Sequence, residues 1–202
     1  MTGAEARPGR ILLVACGALA REVVALKALN GWDHMDVSCL PALLHNRPDR
    51  IPAALRARIR AGRRTHGEVL VLYGDCGTGG ALDAVLVEEG AERIEGPHCY
   101  AFLAGAGAFD GLMEEEPGSF FLTDFLARQF DRLVWRGLGL DRHPELRDAY
   151  FAHYRRVVHL VQQPDPAIAA RAAAAAARLG LPLVTRVTGL GGLSAFLAPR
   201  VA

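Results

Sequence analysis

The chain has 202 residues, 51% of them hydrophobic and 22% charged, an ordinary globular balance that allows one well-buried core or at most two small domains. Lys and Arg number 23 against 22 Asp and Glu, a net charge of +1, so no broad field favours nucleic acid or an anionic membrane. Four cysteines are too few for a disulfide scaffold, and without close CxxC spacing they exclude a zinc ribbon.

The residues before Ile11 are polar, with Pro8 and Gly9, and read as a flexible tail (1–10) ahead of a single α/β domain over 11–202. Ile11–Ala15 is a continuous β-prone run, typical of a strand buried on both faces. Leu13-Val14-Ala15-Cys16 has the look of a lipoprotein cleavage site. The apolar run before Cys16 is nevertheless shorter than the roughly 7–15 residues a signal core needs. No run approaches the roughly 20 apolar residues of a membrane span. A cytoplasmic protein with reduced thiols is expected.

Ala18–Leu29 has helical spacing and closes at Asn30-Gly31. Met35–Leu40 reads as a second strand, Pro48–Ile59 as a helix and Val69–Tyr73 as a third strand. The basic run Arg56–Arg64 lies on that helix as a solvated face. Ala81–Glu89 reads as a helix and Glu92–Glu95 as a weak strand. Alternation of this kind predicts an α/β fold, a mainly parallel sheet with helices on both faces. About 107–155 the β-prone runs thin out, and the region reads as a helical insertion, with Glu114–Glu116 a solvated helix end. The pattern then resumes with a strand at Val157–Val161, a helix over Asp165–Leu179 and a strand at Leu183–Val187. Asp165 is the expected N-cap and Gly180 the C-cap. A short helix at Ser194–Leu197 closes the chain.

Cys16, Cys76 and the pair His98-Cys99 each follow an apolar strand run. Loops at the carboxyl ends of parallel strands gather in one crevice, and thiols with an imidazole there would suit zinc or an iron–sulfur cluster. Cys16, Cys76, His98 and Cys99 are therefore the expected metal ligands. Adjacent side chains in an extended segment point apart, so only one of His98 and Cys99 reaches the metal unless the chain turns there. Cys39, inside the second strand, reads as core. In the turn Gly74-Asp75-Cys76-Gly77-Thr78-Gly79-Gly80 the glycines allow a nest of backbone N–H groups for an anion, although such a turn needs glycines without any ligand. Gly74, Gly77, Thr78, Gly79, His45 and Tyr100 are the expected small-molecule contacts. The following helix N-terminus is expected to lower the Cys76 pKa. Asp75 is either a base or a turn-former. In a catalytic reading Cys76, Asp75 and His98 carry the chemistry.

The order and spacing of Cys16-Gly17, Leu44-His45-Asn46-Arg47-Pro48, Tyr73 to Gly79, Gly96-Pro97-His98-Cys99-Tyr100 and Pro117 to Thr123 resemble a prokaryotic family of unknown function. That family is often encoded near corrinoid-dependent methyltransferases of methylamine-type substrates. Many of its members read His-Asp-Cys where this chain has His98-Cys99. The resemblance implies a setting in one-carbon or corrinoid metabolism, with a methyltransferase or corrinoid protein as partner. Three functions remain open: a zinc or iron–sulfur protein, a metal-free small-molecule enzyme or binding protein holding an anion on Gly74–Gly80, and an accessory protein of a methyltransferase.

Overall fold

A computed structural model of the chain describes residues 7–94, 96, 98–115 and 117–201. It divides into two compact units, Met1–Cys99 with Leu193–Ala202, and Tyr100–Gly192.

The first unit is built on three parallel strands, β1 (Arg7–Cys16), β2 (Met35–Leu40) and β3 (His66–Leu72), in the order β2-β1-β3. The central strand is the most buried, with Leu13, Val14 and Ala15 fully enclosed. This is why Ile11–Ala15 reads as continuously apolar rather than alternating. A 3-10 turn (Gly17–Leu19) and α1 (Ala20–Asn30) connect β1 to β2, α2 (Ile51–Gly62) connects β2 to β3, and α3 (Ala81–Glu89) follows β3. The first crossover steps to one side of β1 and the second steps back past it. Right-handed connections then put α1 on one face and α2 with α3 on the other, and α2 packs against α3.

The basic face of α2 is committed to that packing. Arg56, Arg60 and Arg63 all converge on Glu89 of α3, whose side chain is almost wholly buried. At the end of α1, Gly31 takes a left-handed conformation and returns its N–H to Lys27. The final helix, α9 (Gly191–Val201), brings Leu193, Leu197 and Val201 into the core, and His34 Nε2 meets the Val201 carbonyl at 2.8 Å.

The second unit has its own parallel sheet, β4 (Ser119–Thr123), β5 (Arg156–Val161) and β6 (Leu183–Val187), in the order β4-β5-β6. Its helices are α4 (Cys99–Ala104, beginning at the unit boundary), α5 (Ala106–Glu115), α6 (Asp124–Phe130, continued by a π-turn over Asp131–Trp135), α7 (Leu146–Phe151) and α8 (Pro166–Leu179). Leu122, Phe130, Val134, Leu140, Val157, Ala172 and Ala176 belong to one core. Asp165 caps α8 by accepting the Ala167 N–H at 2.8 Å, and Gly180 ends it in the left-handed region.

The α/β class and the parallel strands agree with the sequence reading. A single sheet does not: residues 11–15 and 69–72 lie in one sheet, 157–161 and 183–187 in another. The expected helical insertion contains β4: the apolar run Phe120-Phe121-Leu122 is too short to stand out among amphipathic helices. The strand expected at 92–95 is reduced to a bridge between Val71 and Arg93, and residue 95 lies outside the described residues. β1 begins at Arg7, earlier than expected. Glu114 and Glu115 are exposed at the end of α5, as expected, and residue 116 lies outside the described residues. No helix among the described residues is long and apolar enough to cross a membrane.

Candidate functional site

In the order β2-β1-β3 the chain leaves the sheet to opposite sides of β1, and the carboxyl ends of β1 and β3 flank the switch point where open parallel sheets hold ligands. Cys16 is the last residue of β1 and pairs in register with Leu40, the last of β2. The chain turns immediately at Gly17. A β-carbon there would sit 2.9 Å from the Leu40 carbonyl oxygen and 3.3 Å from the Ala42 nitrogen, so only glycine lets the two strand ends run this close.

The next 3-10 turn, Ala42–Asn46, brings His45 Nε2 to 3.9 Å from the Cys16 sulfur. His45 Nδ1 lies 2.9 Å from the Ala42 carbonyl. A carbonyl only accepts, so Nδ1 carries the proton and the Nε2 lone pair is turned to the thiol. Tyr73, the first residue past β3, stacks on His45 with ring centres 5.9 Å apart and planes 17° from parallel. Its hydroxyl is fully buried next to Cys16, close enough to influence that thiol, yet it makes no hydrogen bond of ordinary geometry among the described residues. An orphaned buried hydroxyl costs about 1–3 kcal/mol.

Cys76 and Cys99 are near enough for electrostatic coupling, Cys76 acting on Cys16, and Cys16 and Cys76 acting on Cys99. Burial pushes Cys16 up to about 12, opposed by the Ala18 N–H and reinforced by Cys76. Cys99 is raised well above the ordinary thiol range, by burial first and then by Cys16 and Cys76, with a smaller push from Glu22 of α1. Cys16 and Cys99 are therefore each raised by another thiol, whereas Cys76 is raised by burial and Asp75. Cys76 is the only non-glycine residue among those described with positive φ, at +50°, a conformation that costs an L-residue roughly 1–2 kcal/mol.

The expectation that Cys76 would be an activated thiolate is overturned. Its pKa is raised to about 11, by burial first and by Asp75, against lowering contributions from the Gly74 backbone and Arg93. The helix whose N-terminus was to stabilise the thiolate starts only at Ala81, too far along to act on Cys76.

Asp75 is a turn-former. Its carboxylate accepts the Thr78 hydroxyl at 2.6 Å and the N–H groups of Gly80 at 2.9 Å and Gly79 at 3.3 Å, and these bonds hold its pKa below the usual range. The Thr78 hydroxyl and the N–H groups of Gly79 and Gly80, part of the turn expected to hold an outside anion, are thus taken by the protein's own carboxylate, while the Gly74 backbone acts on Cys76. A base with all these contacts has little reason to take a proton.

Of the two adjacent candidates, Cys99 joins the thiols, while His98 is partly buried with its pKa lowered by burial. Tyr100 packs in the second unit against Phe109 and Phe121, with ring centres 6.4 and 6.2 Å apart. Cys39 is only partly buried, because β2 is an edge strand. Among the described residues no group of three His, Cys, Asp or Glu side chains stands as a ready-made metal cage.

Two residues escaped the sequence reading. Glu22 is buried on α1, and its position on the inward stripe was the only signal. Arg93 grips Asp83 with two nitrogens at 2.6 and 3.0 Å and donates to the carbonyls of Ile94 and Gly96, fixing the segment that delivers His98 and Cys99.

Two outcomes follow from this geometry. Gly17→Ala must push apart two backbone segments and should lower stability by about 1–3 kcal/mol in urea unfolding. Unchanged stability would show that the strand ends tolerate separation. The raised thiols also make stability depend on pH. Unfolded cysteines titrate near ~8.5, while native Cys76 and Cys16 hold their protons to about 11 and about 12. Between those values the native state binds more protons than the unfolded chain, so stability falls as pH rises. The contribution is complete below the unfolded pKa and is lost as pH passes the native values. Denaturant unfolding from pH 7 to 11 should show this fall, and Cys16→Ala should flatten it. A wild-type profile no steeper than that of Cys16→Ala would contradict the burial of these thiols.

No curated protein and no solved structure matches the chain. A family match does cover residues 39–197, beginning after β1 and Cys16. The chain belongs to the family described as "Protein of unknown function (DUF1638)".

Proposed function

We propose that the first unit binds a metal ion, with Cys16, His45, Cys76 and Cys99 as its ligands and zinc as the metal that this nitrogen-and-sulfur set favours over an iron–sulfur cluster. The observation that carries the reading is the Cys16–His45 pair. Zinc–sulfur and zinc–nitrogen bonds of about 2.3 and 2.1 Å at a tetrahedral angle put the two ligand atoms about 3.6 Å apart. The pair stands at 3.9 Å. His45 is also held as metal-binding imidazoles are, by its other ring nitrogen on a backbone carbonyl.

The electrostatics support the same reading. Cys16 and Cys99 are each raised by neighbouring thiols, and of the three cysteines only Cys76 has a cation, Arg93, lowering its pKa. Thiolate at this place needs positive charge from outside, and a bound metal supplies it. Cys76 and Cys99 would complete the set by side-chain rotation. His98 lies next to Cys99 in sequence and is the alternative nitrogen ligand.

If one of the four ligands gives way to substrate, zinc there can activate a thiol or a small substrate. On the resemblance to a family encoded beside corrinoid methyltransferases, that chemistry would serve one-carbon transfer, with a methyltransferase or corrinoid protein as partner.

Elemental analysis of protein purified without oxygen should find about one zinc per chain, as one four-ligand site requires. Cys16→Ser and Cys76→Ser should lose it, and Cys39→Ser should keep it. Zinc affinity should rise with pH, since each thiol gives up a proton on binding. Tyr73→Phe removes an orphaned hydroxyl and should be neutral or stabilising by up to ~1–3 kcal/mol in the metal-free protein. Full zinc retention by Cys76→Ser with loss in Cys39→Ser would overturn the assignment.

A further inference from the structure

The second unit holds a buried Asp–His pair that the metal site does not use. Asp124 is the first residue after β4, and His159 lies within β5, in register between Leu122 and Thr185. Their side chains are 4% and 2% exposed, with His159 Nε2 at 3.0 Å from Asp124 Oδ1. The other carboxylate oxygen accepts the N–H groups of Gln162 at 3.1 Å and Gln163 at 3.0 Å. The Asp124 N–H donates to Gln162 Oε1 at 2.8 Å. Both carboxylate oxygens are therefore engaged, and the acceptor role of Oδ1 makes Nε2 the donor. In the neutral ring the remaining nitrogen, Nδ1, keeps its lone pair.

Asp124 and His159 lie in the wall of a cavity of about 300 Å³, between the carboxyl ends of β5 and β6 and the first turns of α8. Most of the rest of the wall is apolar: Val161, Pro164, Pro166, Ile168, Ala169 and Val187. Thr185, beside His159 on the next strand, is the one hydroxyl in it. No Lys or Arg lines it, and it has two carboxylates, Asp124 and Asp165. Asp165 is occupied as the cap of α8.

We propose that this cavity binds a small neutral molecule with an apolar body and one hydroxyl, the hydroxyl donating to His159 Nδ1. An anion finds no positive charge in the wall. An ammonium group finds only two carboxylates, Asp124 already bound to His159 and two backbone N–H groups, and Asp165 committed to capping α8. The volume is at the lower end of ligand pockets, which limits the guest to a phenol-sized or slightly larger body. The Asp124 carboxylate fixes the ring and its tautomer, as such partners do for histidines that exchange protons.

The test is an NMR titration of the full chain with phenol, anisole, benzylamine and benzoate, reading the ring nitrogens of His159. Phenol should bind saturably and shift Nδ1 more than Nε2. Anisole, of similar shape but without the donor, should bind about tenfold more weakly, the loss of one hydrogen bond. Benzoate and benzylamine should bind more weakly than phenol. Ala169→Phe, at an exposed position on α8, should fill the cavity mouth and abolish phenol binding without changing the circular dichroism spectrum. This variant keeps the test valid if His159→Phe fails to fold. Equal binding of phenol and anisole, tighter binding of benzylamine or benzoate, or phenol binding that survives Ala169→Phe would overturn the proposal.

Discussion

The first unit depends on one constraint: β1 sits between β2 and β3, parallel to both, with its last residue in register with the last residue of β2. Parallel strands deliver their outgoing loops to a common edge. The glycine after Cys16 then lets the loop beyond β2 approach to contact distance. From this follow the His45 imidazole beside the Cys16 sulfur, the stacking of Tyr73 on His45, and the thiols that influence one another. No single residue in this set is unusual. Their meeting at one strand edge is what distinguishes the site from scattered core cysteines.

The site is also costly to build. Among the described residues the buried Tyr73 hydroxyl, beside Cys16, makes no hydrogen bond of ordinary geometry, and Cys76 adopts a backbone conformation normally left to glycine. Such costs persist only where the surrounding structure enforces them, and they concentrate at functional positions. Burial keeps the thiols protonated near neutral pH, which disfavours a free nucleophile and favours a ligand set that ionises only when a cation arrives. Asp75, which sequence alone leaves open as base or turn-former, is consumed by the glycine turn and helps to fix its shape.

Much of the fold was legible in the sequence. Met35–Leu40 and Ala81–Glu89 match their elements residue for residue, because strong periodicity coincides there with clear end signals. The single sheet was not legible as two, since strand pairing across the chain leaves no local mark, and β4 was too short to separate from its helical neighbours. In the site, the place of Cys16 at the end of β1 was readable from the apolar run before it, whereas Cys76 lies in the turn after β3 and Cys99 opens α4. His45 was expected to face the same crevice, but its role beside Cys16 depends on how closely two backbone turns approach, which only coordinates reveal. The Cys76 pKa was misjudged because proximity to a helix start in sequence was taken for proximity to its dipole, and burial outweighs it. The Asp124–His159 pair was invisible, since a lone histidine in an apolar strand reads as core.

The central claim is that Cys16, His45, Cys76 and Cys99 converge on one metal ion. The most direct measurement is a cobalt(II) titration of the reduced, metal-free protein followed by visible absorption. The account predicts saturation near one equivalent, intense d–d bands of tetrahedral cobalt and a sulfur-to-cobalt charge-transfer band, all displaced by zinc. A weak octahedral spectrum without sulfur charge transfer, unchanged by zinc, would contradict it.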